Sequence, residues 1–275
     1  MDGMEMRRAV VFPGQGTVGD EVSGTVREAV RGYLGEAGAP YQLYVFAASV
    51  ALLYRMRERS IEPDVVAGHS LGEYAAAHAT GALGLEDGVR LVGERDRLMG
   101  EAAREHPGAM VALIGADPAE VVRATEETEG VVVAANFNTP RQTVISGERP
   151  AVGEAGEKVR GRKIELNVAG AFHSPLMQDA SREMDVLLAE VALEEPRIPM
   201  VGASDGAVLT SAVEIRRSLR DQMLSPVRWV AVVERFWQLG VREIFEAGKD
   251  GTLTRMLRDF KKKDLEGRLA AEVLS

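Results

Sequence analysis

Apolar residues recur along this chain with two periods, and the switches between them mark out its elements. Short apolar runs predict strands at residues 8–12 (Arg-Ala-Val-Val-Phe) and 65–67 (Val-Val-Ala). Val22, Val26, Val30 and Leu34 lie at helical spacing and predict a helix over 20–37, closed by Gly35 and Gly38. Residues 42–59 read as a long apolar helix, 71–79 as an Ala-rich one and 85–104 as a helix of mixed charge.

After that the texture changes. Strands are predicted at 109–114, 131–135, 142–146 and 163–168, with helices at 118–129 and 150–160. Strand-helix-strand-strand-helix-strand is the ferredoxin-like order. The reading is a small ferredoxin-like subdomain at 108–170, inserted into a large α/β domain made of 1–107 and 171–275. The large domain resumes with a helix over 174–193, a strand near 199–203, a helix over 227–239, a strand at 243–246 and a C-terminal helix from Thr252. Its alternation of strand and helix implies a mainly parallel, hydrolase-like sheet with helices on both faces. No internal repeat or low-complexity tract interrupts it.

The chemistry begins at Gly68-His-Ser-Leu-Gly72, directly after the apolar run Val65-Val66-Ala67. A G-x-S-x-G turn between strand and helix lifts its serine, here Ser70, above the sheet edge on a strained backbone. The flanking glycines are needed because side chains there would crowd strand and helix together. Serine needs a base, and histidine is the side chain best poised near neutral pH.

Four histidines are available. His69 adjoins Ser70, so strand alternation is expected to turn it away from the serine's side. His78 lies two turns along the elbow helix, where packing is the simpler role, and His106 precedes Pro107 in a loop. His173, just past a strand and before a helix, is the best base candidate, against a purely structural capping role. Acyl transfer also needs two donors for the oxyanion. One is the backbone N–H after the nucleophile, that of Leu71; the loop Pro13-Gly14-Gln15-Gly16 could bring the second. That loop matches neither the dinucleotide-binding nor the P-loop pattern.

Composition narrows the field. The chain has 275 residues, 45% of them hydrophobic and 27% charged, as an ordinary globular protein does. With no cysteine, disulfides, thiolate zinc sites and a cysteine nucleophile are excluded. A net charge of −9 argues against nucleic acid as a partner. The run Lys261 to Lys263 is read as a solvated helix end, although a local basic patch could still meet an acidic carrier protein. No stretch is apolar enough to span a bilayer, and residues 1–8 lack the apolar core of a signal peptide, so a cytoplasmic location is expected.

Six ordered motifs then resemble one family. They are Phe12-Pro-Gly-Gln-Gly16, Gly68-His-Ser-Leu-Gly-Glu-Tyr74, Asn136-Phe-Asn-Thr-Pro140, Val144-Ile-Ser-Gly147, Phe172-His-Ser174 and Pro226-Val-Arg-Trp229. From about residue 9 to 257 the chain resembles malonyl-CoA:acyl-carrier-protein transacylases and the related polyketide synthase acyltransferases.

The resemblance implies Ser70 as acyl-accepting nucleophile, His173 as its base, and Gln15 and Leu71 as oxyanion donors. It implies Arg95 as the partner of a malonyl carboxylate, a task suited to a guanidinium fork. By its charged neighbours alone, Arg95 reads as part of a solvated helix face. Gln42 matches a glutamine that lines the site, and Phe172 a malonyl-selective position. Bulk there disfavours an α-methyl branch by about 1–3 kcal/mol. No metal and no bound cofactor is expected; the expected partners are an acyl-CoA, malonyl-CoA first, and an acyl carrier protein. The chain is expected to be a monomer serving separate carriers. An acyl hydrolase that clears carrier proteins, or transfer of a non-malonyl group, is the alternative.

Two departures from the family stand out. The segment between Gly16 and Gln42 is shorter than usual, and the C-terminal Gly-Pro-Gly turn appears as Gly248-Lys-Asp-Gly251. If that turn orients the histidine through a backbone carbonyl, Lys249 or Asp250 must supply it.

Overall fold

A computed structural model describes residues 8–14, 41–262 and 264–274. Gln15, the predicted helix over 20–37 and most of the shortened segment lie outside these residues. The chain runs β1 (Arg8–Phe12), α1 (Tyr41–Glu58), β2 (Val65–Gly68), α2 (Gly72–Ala79) and α3 (Leu85–Glu105). It continues β3 (Ala109–Ile114), α4 (Pro118–Glu126), β4 (Val132–Thr139), β5 (Gln142–Gly147), α5 (Arg149–Glu157) and β6 (Arg162–Glu165). After a 3-10 turn at Pro175–Met177 come α6 (Gln178–Glu190), β7 (Met200–Val201), β8 (Val208–Leu209), α7 (Ala212–Asp221) and α8 (Trp229–Gln238). The last elements are β9 (Glu243–Glu246), α9 (Thr252–Met256), β10 (Glu266–Leu269) and α10 (Ala270–Leu274).

The first sheet has six strands in the order β10-β9-β1-β2-β7-β8. All its pairs are parallel except β7–β8 at the edge. Strand alternation feeds two cores. Val10, Phe12 and Val66 pack on one face with residues of α1, α2 and α3, whereas Ala9, Val11, Val65 and Ala67 pack on the other with Val232, Val233 and Phe236 of α8. Burial on both faces is why β1 and β2 read as unbroken apolar runs.

The second sheet has four antiparallel strands in the order β4-β5-β3-β6. With α4 and α5 it forms the ferredoxin-like unit. Its period-two pattern sends Ala109 and Leu113 toward the two helices. Met110 and Ala112 point the other way, toward a cleft over the first sheet. The two units are stitched where Phe137 N–H donates to Val227 O (2.7 Å) and Val227 N–H to Ala135 O (2.8 Å).

Three expectations change. The segment expected as one helix over 174–193 opens as a 3-10 turn, because Ser174 Oγ accepts from Leu176 N–H and Pro175 fixes the first step. The helix from Thr252 lasts five residues, then turns through Leu257–Asp259 and returns as the edge strand β10. Strand β6 stops at Glu165, before the expected 168. Helix α7, between β8 and the Pro226 motif, has no counterpart in the pattern above. Its start is a capping box in which Ser211 and Glu214 bond each other's backbone.

Candidate active site

The elbow is sterically closed. A Cβ on Gly68 would sit 2.0 Å from Gly72 C, and one on Gly72 would sit 2.1 Å from Phe12 O. Only hydrogen fits at either position. Ser70 consequently takes φ +54, and His173 takes φ +58 across the cleft from it. Left-handed backbone at two non-glycine residues costs on the order of 1–3 kcal/mol each and persists only where surrounding structure enforces it. Here it brings Ser70 Oγ to 2.8 Å from His173 Nε2.

His173 Nδ1 faces two backbone carbonyls, Gln222 O at 2.9 Å and Ser225 O at 3.1 Å. These fix Nδ1 as the protonated nitrogen, leaving Nε2 as an acceptor toward the serine. The carbonyl expected from Lys249 or Asp250 therefore comes instead from the C-terminal end of α7. The Gly248 turn lies elsewhere, packed so closely on the β1 loop that a Cβ on Gly248 would meet Pro13 Cγ at 2.7 Å. Burial, reinforced by the Arg95 charge, lowers the pKa of His173 to about 4. It is held neutral, the form a base needs.

Arg95 is buried, 1% exposed, and reaches Ser70 from behind. Its Nη2 donates to Ser70 Oγ at 3.1 Å and to Gln222 Oε1 at 3.1 Å, and its Nη1 donates to Gln42 Oε1. Gln42 is itself turned by Met99, whose Sδ accepts from Nε2 at 3.5 Å. The Tyr74 ring lies 6.0 Å from the guanidinium carbon. Among the described residues no carboxylate touches Arg95, although the charges of Asp96 and Glu73 act on it at longer range. Desolvation lowers its pKa, and every side chain that accepts from it is neutral.

The remaining predicted residues fall as follows. Phe172 lines the cleft beside Met99 and Val168. Leu71 is buried at the start of α2, so its N–H belongs to the helix's unpaired first turn, and it meets no backbone acceptor among the described residues. His78 is structural: Tyr54 Oη lies 2.9 Å from its Nε2 and Leu83 O lies 2.9 Å from its Nδ1. His69 departs from expectation. It lines the cleft, with Nε2 2.9 Å from Asn138 Oδ1 and its ring packed on Trp229. Strand alternation does not govern it because β2 ends at Gly68 and the chain is already turning.

Two further residues entered through no motif role. Gln222 supplies both the carbonyl for His173 and an acceptor for Arg95. Glu73, 1% exposed, accepts from Ala203 N–H (3.0 Å), Ser218 Oγ (2.9 Å) and Gln222 Nε2 (3.0 Å). Burial pushes its pKa up to about 7. The position of Glu73 directly after the elbow glycine was visible in the sequence; the bond it makes to a residue at the end of α7 was not.

The far wall of the cleft is the apolar face of the second sheet: Met110, Ala112, Val144 and Ile164. A serine–histidine pair at a strand-to-helix elbow, with a buried cation at its back, is the arrangement that acyl-transfer chemistry calls for. Comparison with known proteins gives the family. Residues 36–266 match the acyl transferase domain, and the chain belongs to that family. It is 38% identical over 222 residues to the malonyl CoA-acyl carrier protein transacylase of Escherichia coli, covering 78% of this chain and 72% of that protein. An acyl carrier protein S-malonyltransferase of Vibrio cholerae superposes with a TM-score of 0.87 at 31% identity, covering 98% of this chain and 100% of its own. A malonyl-transacylase solved in complex with a type II PKS acyl-carrier protein superposes with a TM-score of 0.87 at 32% identity, covering 96% and 95%. No described helix is long and apolar enough to cross a membrane.

Proposed function

We propose that this protein moves a malonyl group from coenzyme A to the phosphopantetheine thiol of an acyl carrier protein, in fatty acid or polyketide synthesis, through an ester on Ser70. The observation that carries the substrate class is Arg95, a buried cation ringed by neutral acceptors beside the nucleophile. A buried guanidinium that no carboxylate touches is costly, and a substrate carboxylate would supply the missing contact with two parallel hydrogen bonds.

In the first half-reaction Ser70 Oγ attacks the thioester carbon while His173 Nε2 takes its proton. The oxyanion is met by Leu71 N–H and, from outside the described residues, Gln15. The C–S bond breaks and the coenzyme A thiolate leaves with the proton from His173. In the second, His173 takes the proton of the carrier thiol, the sulfur attacks the ester carbon, and the C–O bond breaks as His173 returns that proton to Ser70 Oγ. Gln42 holds the malonyl clamp and Phe172 bounds the acyl pocket. The work divides between a catalytic domain of residues 1–107 and 171–275 and a small subdomain of 108–170 that walls the cleft, in a cytoplasmic monomer. Release of the acyl group to water is the less favoured reading, because an editing hydrolase has no need of Arg95.

The deciding experiment is intact-protein mass spectrometry after mixing with a panel of acyl-CoAs. Malonyl-CoA is expected to add one acyl group at Ser70; labelling by another acyl-CoA while malonyl-CoA adds nothing would sink the assignment. Addition of a carrier protein should then yield acyl-carrier, whereas free acid alone would identify a hydrolase.

A basic rim suits an acidic carrier despite the net charge of −9. Arg228 is exposed and stacks on Phe137 with 5.0 Å between guanidinium and ring. Arg258 is exposed beside Asp259, which binds Thr139 Oγ1 at the β4–β5 turn next to exposed Arg141. Arg228→Glu with Arg258→Glu is expected to slow transfer to the carrier about 5- to 10-fold at low salt and to leave loading from malonyl-CoA unchanged. Stopped-flow or gel assays of each half-reaction read this directly, and equal slowing of both halves would refute the placement.

A further inference from the structure

Gln222 joins the two halves of the site. Its backbone carbonyl holds His173, and its side-chain amide spans from Glu73 to Arg95. That amide has only one workable sense. Arg95 can only donate, so it must see Oε1; ionised Glu73 can only accept, so it must see Nε2. The observed distances are 3.1 Å and 3.0 Å. Glu73 is committed on its other oxygen, where Ala203 N–H and Ser218 Oγ both donate to Oε1. Its carboxylate is anchored from beyond the end of β7 and from α7 at once, and Glu73 is not part of the cleft lining.

We infer that Glu73 is a positioning residue for acyl-group selection: by fixing the sense of the Gln222 amide, it keeps an acceptor on Arg95 and holds the guanidinium where a substrate carboxylate meets it. The inference rests on the malonyl reading above, with Arg95 as the clamp. Glutamine at position 73 would break the relay in a defined way. Its carbonyl oxygen must stay on Ala203 N–H, which can only donate, so its NH2 must face Gln222. Gln222 then flips, and its own NH2 is driven against Arg95. The clamp loses an acceptor and gains a repelling donor. The carbonyl that holds His173 is backbone and does not flip, so chemistry on an uncharged acyl group suffers less.

The test compares loading of malonyl-CoA and acetyl-CoA, at pH 8 so that Glu73 is ionised. Glu73→Gln is expected to lower kcat/KM for malonyl loading about 10- to 100-fold, the scale of one lost hydrogen bond to a charged group, and for acetyl loading by about threefold or less. Protonation of Glu73 does to the native relay what the amide does in the variant: Oε1 stays with its two donors, so the proton sits on Oε2 and faces Gln222. Since burial pushes that carboxyl up to about 7, the ratio of malonyl to acetyl loading by the native protein is expected to fall between pH 8 and pH 6, and that of Glu73→Gln to stay flat. Parallel loss of malonyl and acetyl loading in the single variant overturns the inference. So does a native ratio that does not change between pH 8 and pH 6, or one that falls equally in Glu73→Gln, which would make Glu73 part of the fold only. If the native protein itself shows no malonyl preference, it is the substrate reading that fails.

Discussion

Alanine at Ser70 is expected to abolish covalent loading by any acyl-CoA, and alanine at His173 to slow it by about a million-fold. The two losses should not add. In the proposed reaction His173 Nε2 takes the proton of Ser70 Oγ, 2.8 Å away, so either deletion removes the same event. The pH profile tests the same pair. An exposed histidine loses its basic form near pH 6.5, but burial and the Arg95 charge lower His173 to about 4. Acetyl loading, which makes no demand on Arg95, should therefore hold its rate from pH 8 to about 5. A limb near pH 6.5 would show that the histidine is not held as the geometry implies. The sign for stability follows. The folded pKa lies below the unfolded one, so the unfolded chain binds more protons between pH 6.5 and 4, and His173 draws the protein toward unfolding as pH falls through that window. In His173→Ala that part of the acid sensitivity should be absent, which thermal melts at pH 7 and pH 5 would reveal.

How much of this was legible follows from the range of each interaction. The elbow is a local rule. Gly68 and Gly72 are dictated by contacts with one another's backbone and with β1, and the sequence pattern carries them in full. The ferredoxin-like unit was readable because its strands alternate and its helices have caps and periods of their own. The edge pair β7–β8 has two residues per strand, too few for any period to register. Helix α7 was readable in principle from Ser211-x-x-Glu214 and the spacing of Ile215 and Leu219. Its consequence was not: a carbonyl 49 residues from His173 in sequence orients the ring through backbone atoms that carry no side-chain signature. The Gly248 turn stands where the family resemblance implies that carbonyl, yet Gly248 packs on Pro13. Arg95 shows the opposite case. Its neighbours Glu94, Asp96 and Arg97 are charged, so the local pattern suggests water, but α3 turns Arg95 alone toward the core. Only the family resemblance marked it.

Arg95→Ala is expected to reduce malonyl loading about 100- to 1,000-fold and acetyl loading by less than about tenfold, through loss of a bidentate, charge-assisted pair in a buried site. The asymmetry is the informative quantity. Arg95 also donates to Ser70 Oγ at 3.1 Å, so some loss with any substrate follows from a nucleophile that is less well held. A carboxylate-bearing acyl group loses that much and its counter-ion besides. Lysine would not substitute well: one ammonium cannot donate to Gln42, Gln222 and a carboxylate in the planar arrangement a guanidinium provides. Arg95→Lys should thus fall between native protein and Arg95→Ala for malonyl while matching Arg95→Ala for acetyl. Stability should move little or even rise. Removing an unpaired buried cation relieves a desolvation cost, which offsets the cavity and the stranded oxygens of Gln42 and Gln222. Loading rates for both acyl-CoAs, measured beside thermal melts of the three proteins, separate these effects. Equal losses for malonyl and acetyl would mean that Arg95 serves the serine and does not read the carboxylate. The unpaired charge at the back of the elbow would then need another explanation.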